Sequence, residues 1–191
     1  HAAIPLIKDT YPNINIVTTL NLIDAIRLVL ENKSDLVFDS YTAIQYRIST
    51  DSLVNFKAIK PIDGAHSFAF KMATTKNNPE LISLINKGIN AITAEEKNDL
   101  LKRWAISADT SASLSTEKFT LTNVQKQWIE SNPIIKVAGD HAWAPFDFEN
   151  SDGRHDGLGH DILQKIAKLT GLKFQFSTQV WDESLSSVKN R

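Results

Sequence analysis

Residues 134–176, IIKVAGDHAWAPFDFENSDGRHDGLGHDILQKIAKLTGLKFQF, set a strand, an aromatic-rich turn, a hairpin and a capped helix in fixed order. Ile134 to Ala138, apolar apart from Lys136, has strand length, and Phe146 to Glu149 is a second short strand. Ser151-Asp152-Gly153 supplies a tight turn between hairpin arms. A helix is predicted from about Gly159 to Thr170, stopped by Gly171, with a strand over Lys173 to Phe176. Residues 177–191 then start a further strand and amphipathic helix. The order strand, helix, strand indicates an α/β lobe, and the chain is expected to be a fragment that stops inside the next such unit.

Working towards the N-terminus, Ile106 to Lys118 is rich in Ser, Thr and Ala without periodicity and reads as a linker. Thr122-Asn123-Val124-Gln125 fits a capping box for a short helix to about Glu130, which Asn132-Pro133 ends. Before the linker, Asn78-Pro79 starts a helix whose Leu81, Ile82, Ile85, Ile89 and Ile92 form an apolar stripe. Thr93 to Glu96 opens a second helix that ends near Trp104. Ala2 to Asp9 reads as a helix end, Ile14 to Val17 as a strand, and Asn21 as the cap of a helix with Leu22, Ala25, Ile26, Val29 and Leu30 on one face. Leu36 to Phe38 has the continuous apolar character of a strand covered on both sides. Ser40 caps a helix to about Ile48, and Phe56 to Lys60 and Phe68 to Ala73 look like connecting strands. The segments 11–38 and 170–191 repeat one plan of turn, short strand, polar connection and helix.

Composition narrows the function classes. The chain has 191 residues, 42% hydrophobic and 23% charged, which suits a folded core. With 21 Lys and Arg against 22 Asp and Glu there is no basic field to hold nucleic acid or an anionic bilayer. The absence of cysteine excludes disulfides, thiolate catalysis and Cys-based zinc sites. No apolar run is long enough for a membrane span, and residues 1–12 do not form a signal peptide, so targeting segments are expected outside this piece.

IKVAGDHAWAPFDF, GLGHDILQKIAKLTGLKFQF and WDESLSSVKNR together resemble the first lobe of type II periplasmic solute-binding proteins of the polar amino-acid-binding type, family 3. Residues 1–104 resemble another part of the same family, the second lobe from its middle onward (INIV, DAIRLVLENKSDLVFD) and the closing helices NPELISLINKGINAITAEEKNDLLKRW. Three segments follow: 1–104 as the C-terminal part of one solute-binding module, 105–133 as linker and lead-in helix, and 134–191 as the first lobe of a second module. Tandem modules of this kind, with a lead-in such as TNVQKQWIESNP, resemble the extracytoplasmic regions of hybrid sensor histidine kinases.

The resemblance implies the periplasmic binding protein-like II fold, a two-lobed clamshell that holds a solute in its cleft. It implies that Trp143 stacks on the solute, that Asp140 lies at the strand end of the site, and that Asp39 holds an amino-acid ammonium group. The family's solute-binding Arg and the Ser/Thr and Gly turn of the second lobe have no counterpart here.

The residues themselves support part of this. Asp39 and Asp140 each follow an apolar strand, where open α/β sheets bind ligands. Asp39 could equally cap an adjoining turn or helix, and Asp140 somewhat less readily. Trp143 reads better as a ligand contact than as filling, whereas Phe146 and Phe148 can stack on a ligand but read better as core. His141, His155 and His160 alternate with acidic residues, yet their spacing matches no helical metal motif, and they read as solvated loop histidines. Gly153, Gly157 and Gly159 lack the Lys of a phosphate loop and serve a hairpin and a helix start. Glu95 and Glu96 point to different helix faces, and no GxSxG occurs. Trp104 and Trp128 read as packing anchors.

The expected function is a ligand-sensing region of a membrane-bound receptor, without catalysis, cofactor or metal in this segment. Its partners would be a small polar solute such as an amino acid, neighbouring modules, and a second copy as a possible dimer. It would sit on the extracytoplasmic, periplasmic side of an inner membrane. The alternatives are a solute-binding appendage of a membrane-bound lytic transglycosylase or diguanylate cyclase, and a transport-associated binding protein. Incomplete modules are expected to bind amino acids weakly or not at all.

Overall fold

In the computed structural model, residues 4–59, 71–104, 106 and 119–189 are described. The chain divides into two compact units, His1–Lys71 and Met72–Arg191.

The first unit contains three helices, α1 (Ile4–Thr10), α2 (Leu22–Leu30) and α3 (Tyr41–Thr50). Asn21 caps α2 by accepting from the Asp24 amide at 2.9 Å, and Ser40 caps α3 by accepting from Ala43 at 3.1 Å. These bonds satisfy amides that the first turn of a helix leaves open. The stripe expected on α2 is only partly buried: Leu22 and Ile26 are enclosed, while Leu30 is exposed. The two strands expected here do not form. Residues 14–17 and 36–38 make no ladder among the described residues, and Ile14, Val17, Leu36 and Phe38 are exposed. Apolar character gives a strand only where a neighbour pairs its backbone and covers its faces. Residues 56–59 and 71–73 are not strands either, and Lys60 and residues 68–70 lie outside the described residues, as does nearly all of the expected linker.

The second unit carries the remaining elements: α4 (Pro79–Ala91), α5 (Ala94–Arg103), α6 (Asn123–Ser131), β1 (Ile135–Asp140), β2 (Ala142–Trp143), β3 (Asp147–Glu149), β4 (His155–Asp156), α7 (Leu158–Thr170), β5 (Phe174–Gln179) and α8 (Trp181–Lys189). β1 and β5 pair in parallel from Ile135 with Phe174 to Asp140 with Gln179, and α7 lies between them in sequence. β2, β3 and β4 form an antiparallel sheet in that order. The result is a mixed α/β unit with parallel and antiparallel sheets, consistent with a solute-binding domain.

Local chemistry explains the helix ends. Thr93 with Glu96, and Thr122 with Gln125, both form reciprocal capping boxes. Asn78 makes no side-chain cap; its amide group bonds Thr75 Oγ1 at 3.0 Å, and Pro79 alone marks the start of α4. Gly171 ends α7 in the left-handed conformation, with φ 80°.

Helices α4 and α5 pack on α7. The buried face of α4 runs through Leu84 and Gly88, with Ile92 just beyond the helix, whereas Ile82 is exposed, so the stripe is rotated from the expected one. Gly88 lies against fully buried Ile166 of α7. Trp104 is buried and donates from Nε1 to Asp161 Oδ2 at 2.9 Å, which makes it an anchor with a polar tether. Lys165 pairs with Glu96 at 2.9 Å, and Gln125 of α6 donates to Ser83 Oγ at 3.1 Å. Trp128 is only half-buried.

Candidate functional site

β1 delivers Asp140 to the carboxyl end of a parallel pair, and the chain then turns through His141 into β2, where Trp143 stands opposite Asp147. The carboxylate of Asp140 accepts the Ala142 amide at 2.9 Å, so it braces its own turn. His141 lies 3.5 Å away and is exposed. Burial, reinforced by the charge of Asp147, raises the Asp140 pKa against the opposing pull of the Ala142 amide and of His141. A half-buried carboxylate at a strand end, partly deprived of water, is a group that gains from a cationic or hydrogen-bonding neighbour.

The Trp143 ring is half-buried and packs against Phe146 at 4.9 Å between centroids, with the planes inclined by 46°. Phe146 is 7% exposed and belongs to the core, as does the contact of Phe148 edge-on against Trp104 at 5.8 Å. Trp143 thus keeps part of its surface open, with Phe146 as its backing. The Ala144–Pro145 peptide within this turn is cis.

The turn is fastened to α7. The amides of Leu158 and Gly159 donate to the carbonyls of Pro145 and Phe146, both at 2.9 Å. Gly157, at φ 120°, passes so close to Phe146 that a Cβ would lie 2.6 Å from its carbonyl oxygen. Only glycine fits there. The glycines of this segment serve the hairpin and the helix start.

Asp39 lies in the first unit, apart in the chain's division from Asp140, Trp143 and Phe146 in the second. Its carboxylate accepts the Ser40 amide at 2.6 Å, at the start of α3.

Two histidines differ from their sequence reading as solvated loop residues. The His155 side chain is 6% exposed, touches Asp147 Oδ1 through Nε2, and stacks on Phe176 at 4.5 Å and 14°. His160 lies beside it, half-buried, with its Nδ1 3.1 Å from His155 Nδ1. The signal missed is the hairpin register: β3 and β4 place Asp147 and His155 on neighbouring strands beneath Gly139. The shallow groove outside them is lined by Asn150, Arg154, His155, His160, Phe176 and Thr178. Among the described residues no group of three or more His, Cys, Asp or Glu could hold a metal ion, and no helix is long and apolar enough to cross a membrane.

Residues 135–191 match the model of the bacterial extracellular solute-binding proteins, family 3. The chain is similar to the virulence sensor protein BvgS of Bordetella bronchiseptica, with 24% identity over 154 residues, which is 79% of this chain and 12% of that sensor. It is similar to the sensor protein EvgS of Escherichia coli K12, with 24% identity over 169 residues, 88% of this chain and 14% of that sensor. A shorter stretch of 54 residues, 28% of this chain, is 30% identical to 21% of a probable amino-acid ABC transporter-binding protein of Haemophilus influenzae. The chain thus spans about an eighth of the length of the sensors it matches.

Proposed function

We propose that the chain is a ligand-sensing region of a membrane-bound sensor kinase, placed on the periplasmic side, and that it binds a small polar solute such as an amino acid without catalysis of its own. The observation that carries this reading is a coincidence of two similarities in one chain: a solute-binding family over 135–191, and sensor proteins over most of the length. The strand-end pair of Asp140 and Trp143 supplies the chemistry, a carboxylate for an ammonium group and an aromatic face for the rest of the solute. Asp39 would hold an ammonium group in the separate site of the preceding module.

In this reading residues 1–104 end one module, 105–133 connect, and 134–191 begin the next, each module being a two-lobed clamshell, with the closing helices α4 and α5 of the former packed on α7 of the latter in one compact unit. A solute that contacts both lobes binds the closed form better, and only that difference in affinity can shift the receptor between states. Typical coupling energies of about 1–3 kcal/mol suffice to bias a neighbouring element. The connection at 105–133 is the candidate for that element, and lengthening it with Ser-Gly residues in the receptor is expected to disturb signalling. The decisive experiment is calorimetric titration of a receptor region spanning complete modules with a panel of amino acids and related solutes. Binding that is lost in Trp143→Ala supports the reading; a folded region that binds none of them refutes it.

A further inference from the structure

Gly139 occupies a point where the hairpin crowds against the end of β1. A Cβ there would lie 2.6 Å from Asp147 Oδ1 and 2.7 Å from His155 Nε2. The next residue is held directly: the Asp140 amide donates to Asp147 Oδ2 at 3.0 Å. Asp147 is held in turn by His155, whose ring lies flat on Phe176 and is almost wholly enclosed. Behind His155 stands His160, Nδ1 to Nδ1 at 3.1 Å. A chain of contacts therefore runs from α7 through β4 and β3 to the turn that carries Asp140 and Trp143.

Two ring nitrogens at that separation require one proton between them. With none, lone pair faces lone pair; with two, N–H faces N–H. The pair can hold one added charge and keep its bond, because a cationic ring still has a neutral acceptor beside it. It cannot hold two. The charged groups around it are on four elements. Asp147 of β3 faces His155, while Asp156 of β4 and Asp161 of α7 favour a cation on His160. Burial, His155 and Arg103 of α5 oppose one. At the far end, His141 and Asp147 both act on Asp140.

We infer that Asp147 and His155 are positioning residues for the strand-end turn, with His160 bracing His155, so that the direction in which Asp140 and Trp143 face depends on one proton lying between the two imidazoles. The consequence for solute binding rests on the function proposed above; the positioning does not.

The test is imidazole NMR on the whole chain, with the Gly139 and Asp140 amides reporting on the turn and the Ile166 methyls on the core. As pH falls below the ordinary histidine range, the two amides are expected to keep their positions when the pair takes its first added proton and to shift when it takes the second, while the Ile166 methyls stay in place. His160→Gln, which offers an N–H donor but takes no charge, is expected to keep the neutral spectrum of the turn and to lose the acid shift. His141→Gln is expected to retain it. The inference is overturned if the amides do not move, if they follow His141, if they move only together with Ile166, or if the shift survives in His160→Gln. No solute enters these measurements, so their failure is distinct from failure to find a ligand.

Discussion

Gly88 on α4 meets Ile166 on α7 so closely that a Cβ at position 88 would lie 2.9 Å from both Cγ1 and Cγ2 of the isoleucine. Ile166 is fully buried and β-branched, with little freedom to turn aside. The two helices can approach this far only because one of them lacks a side chain.

Gly88→Leu is therefore expected to force α4 off α7 and to lower the stability of the second unit by about 1–3 kcal/mol, the usual cost of overpacking. Urea denaturation followed by circular dichroism checks it. A midpoint equal to that of the parent would show that the contact yields without strain.

Trp104→Phe keeps most of the buried ring and removes the Nε1 donor that Asp161 accepts at 2.9 Å. The Asp161 side chain is 11% exposed and, among the described residues, would be left with Arg103 as its side-chain partner. Loss of a hydrogen bond to a charged group is expected to cost about 2 kcal/mol. Denaturation of Trp104→Phe, and of Trp104→Phe combined with Asp161→Asn, separates the bond from the change in packing.

Asp140→Asn is expected to leave the unfolding midpoint at neutral pH unchanged or higher, while weakening solute binding in the receptor. Burial raises the pKa of this carboxyl, so the folded state holds its proton more firmly than the unfolded one. Its contribution to stability falls as pH rises through the folded value, and the deficit is complete above it. Asparagine keeps the oxygen that accepts the Ala142 amide without the charge. A clear loss of stability in this variant would contradict the account.

His160 works in the other direction. Burial foremost, then the neighbouring His155, holds its pKa below the ordinary histidine value, so the folded state binds this proton less readily than the unfolded chain. The stability it contributes is complete above the ordinary value, declines as pH falls from there towards the folded value, and is level below both. His160→Gln is expected to flatten that decline in urea midpoints measured across the range. An unchanged slope would assign the decline to other groups.

The elements legible in the sequence are those whose cause is local. Thr93 with Glu96, Thr122 with Gln125, and Gly171 mark helix ends through bonds made within a few residues, and they lie where expected. β1, the hairpin, α7 and β5 also follow from apolar runs and turn residues, though β1 and β5 extend to Asp140 and Gln179. What depends on distant partners was not legible. Ile14 to Val17 and Leu36 to Phe38 have strand composition, but no neighbour among the described residues pairs with them. The phase of the α4 stripe is set by the groove that α7 offers to Gly88, and periodicity alone places it one step away.

The candidate site divides in the same manner. The place of Asp140 and Trp143 after a strand is legible in the sequence, whereas Phe146, a candidate ligand contact, is 7% exposed and packs within the unit. The burial of His155 is not legible in the sequence, because its neighbours there are polar whereas its neighbours in space are Phe176 and Asp147. The relation that holds His155 runs across the hairpin, from β4 to Asp147 of β3.

Ser184 of α8, fully buried, donates its hydroxyl to the Gly139 carbonyl at 2.8 Å. The residue that the hairpin clamps from one side is thus tethered to a helix from the other. A change of volume or polarity at position 184 would therefore be felt at Gly139, at the other end of that bond.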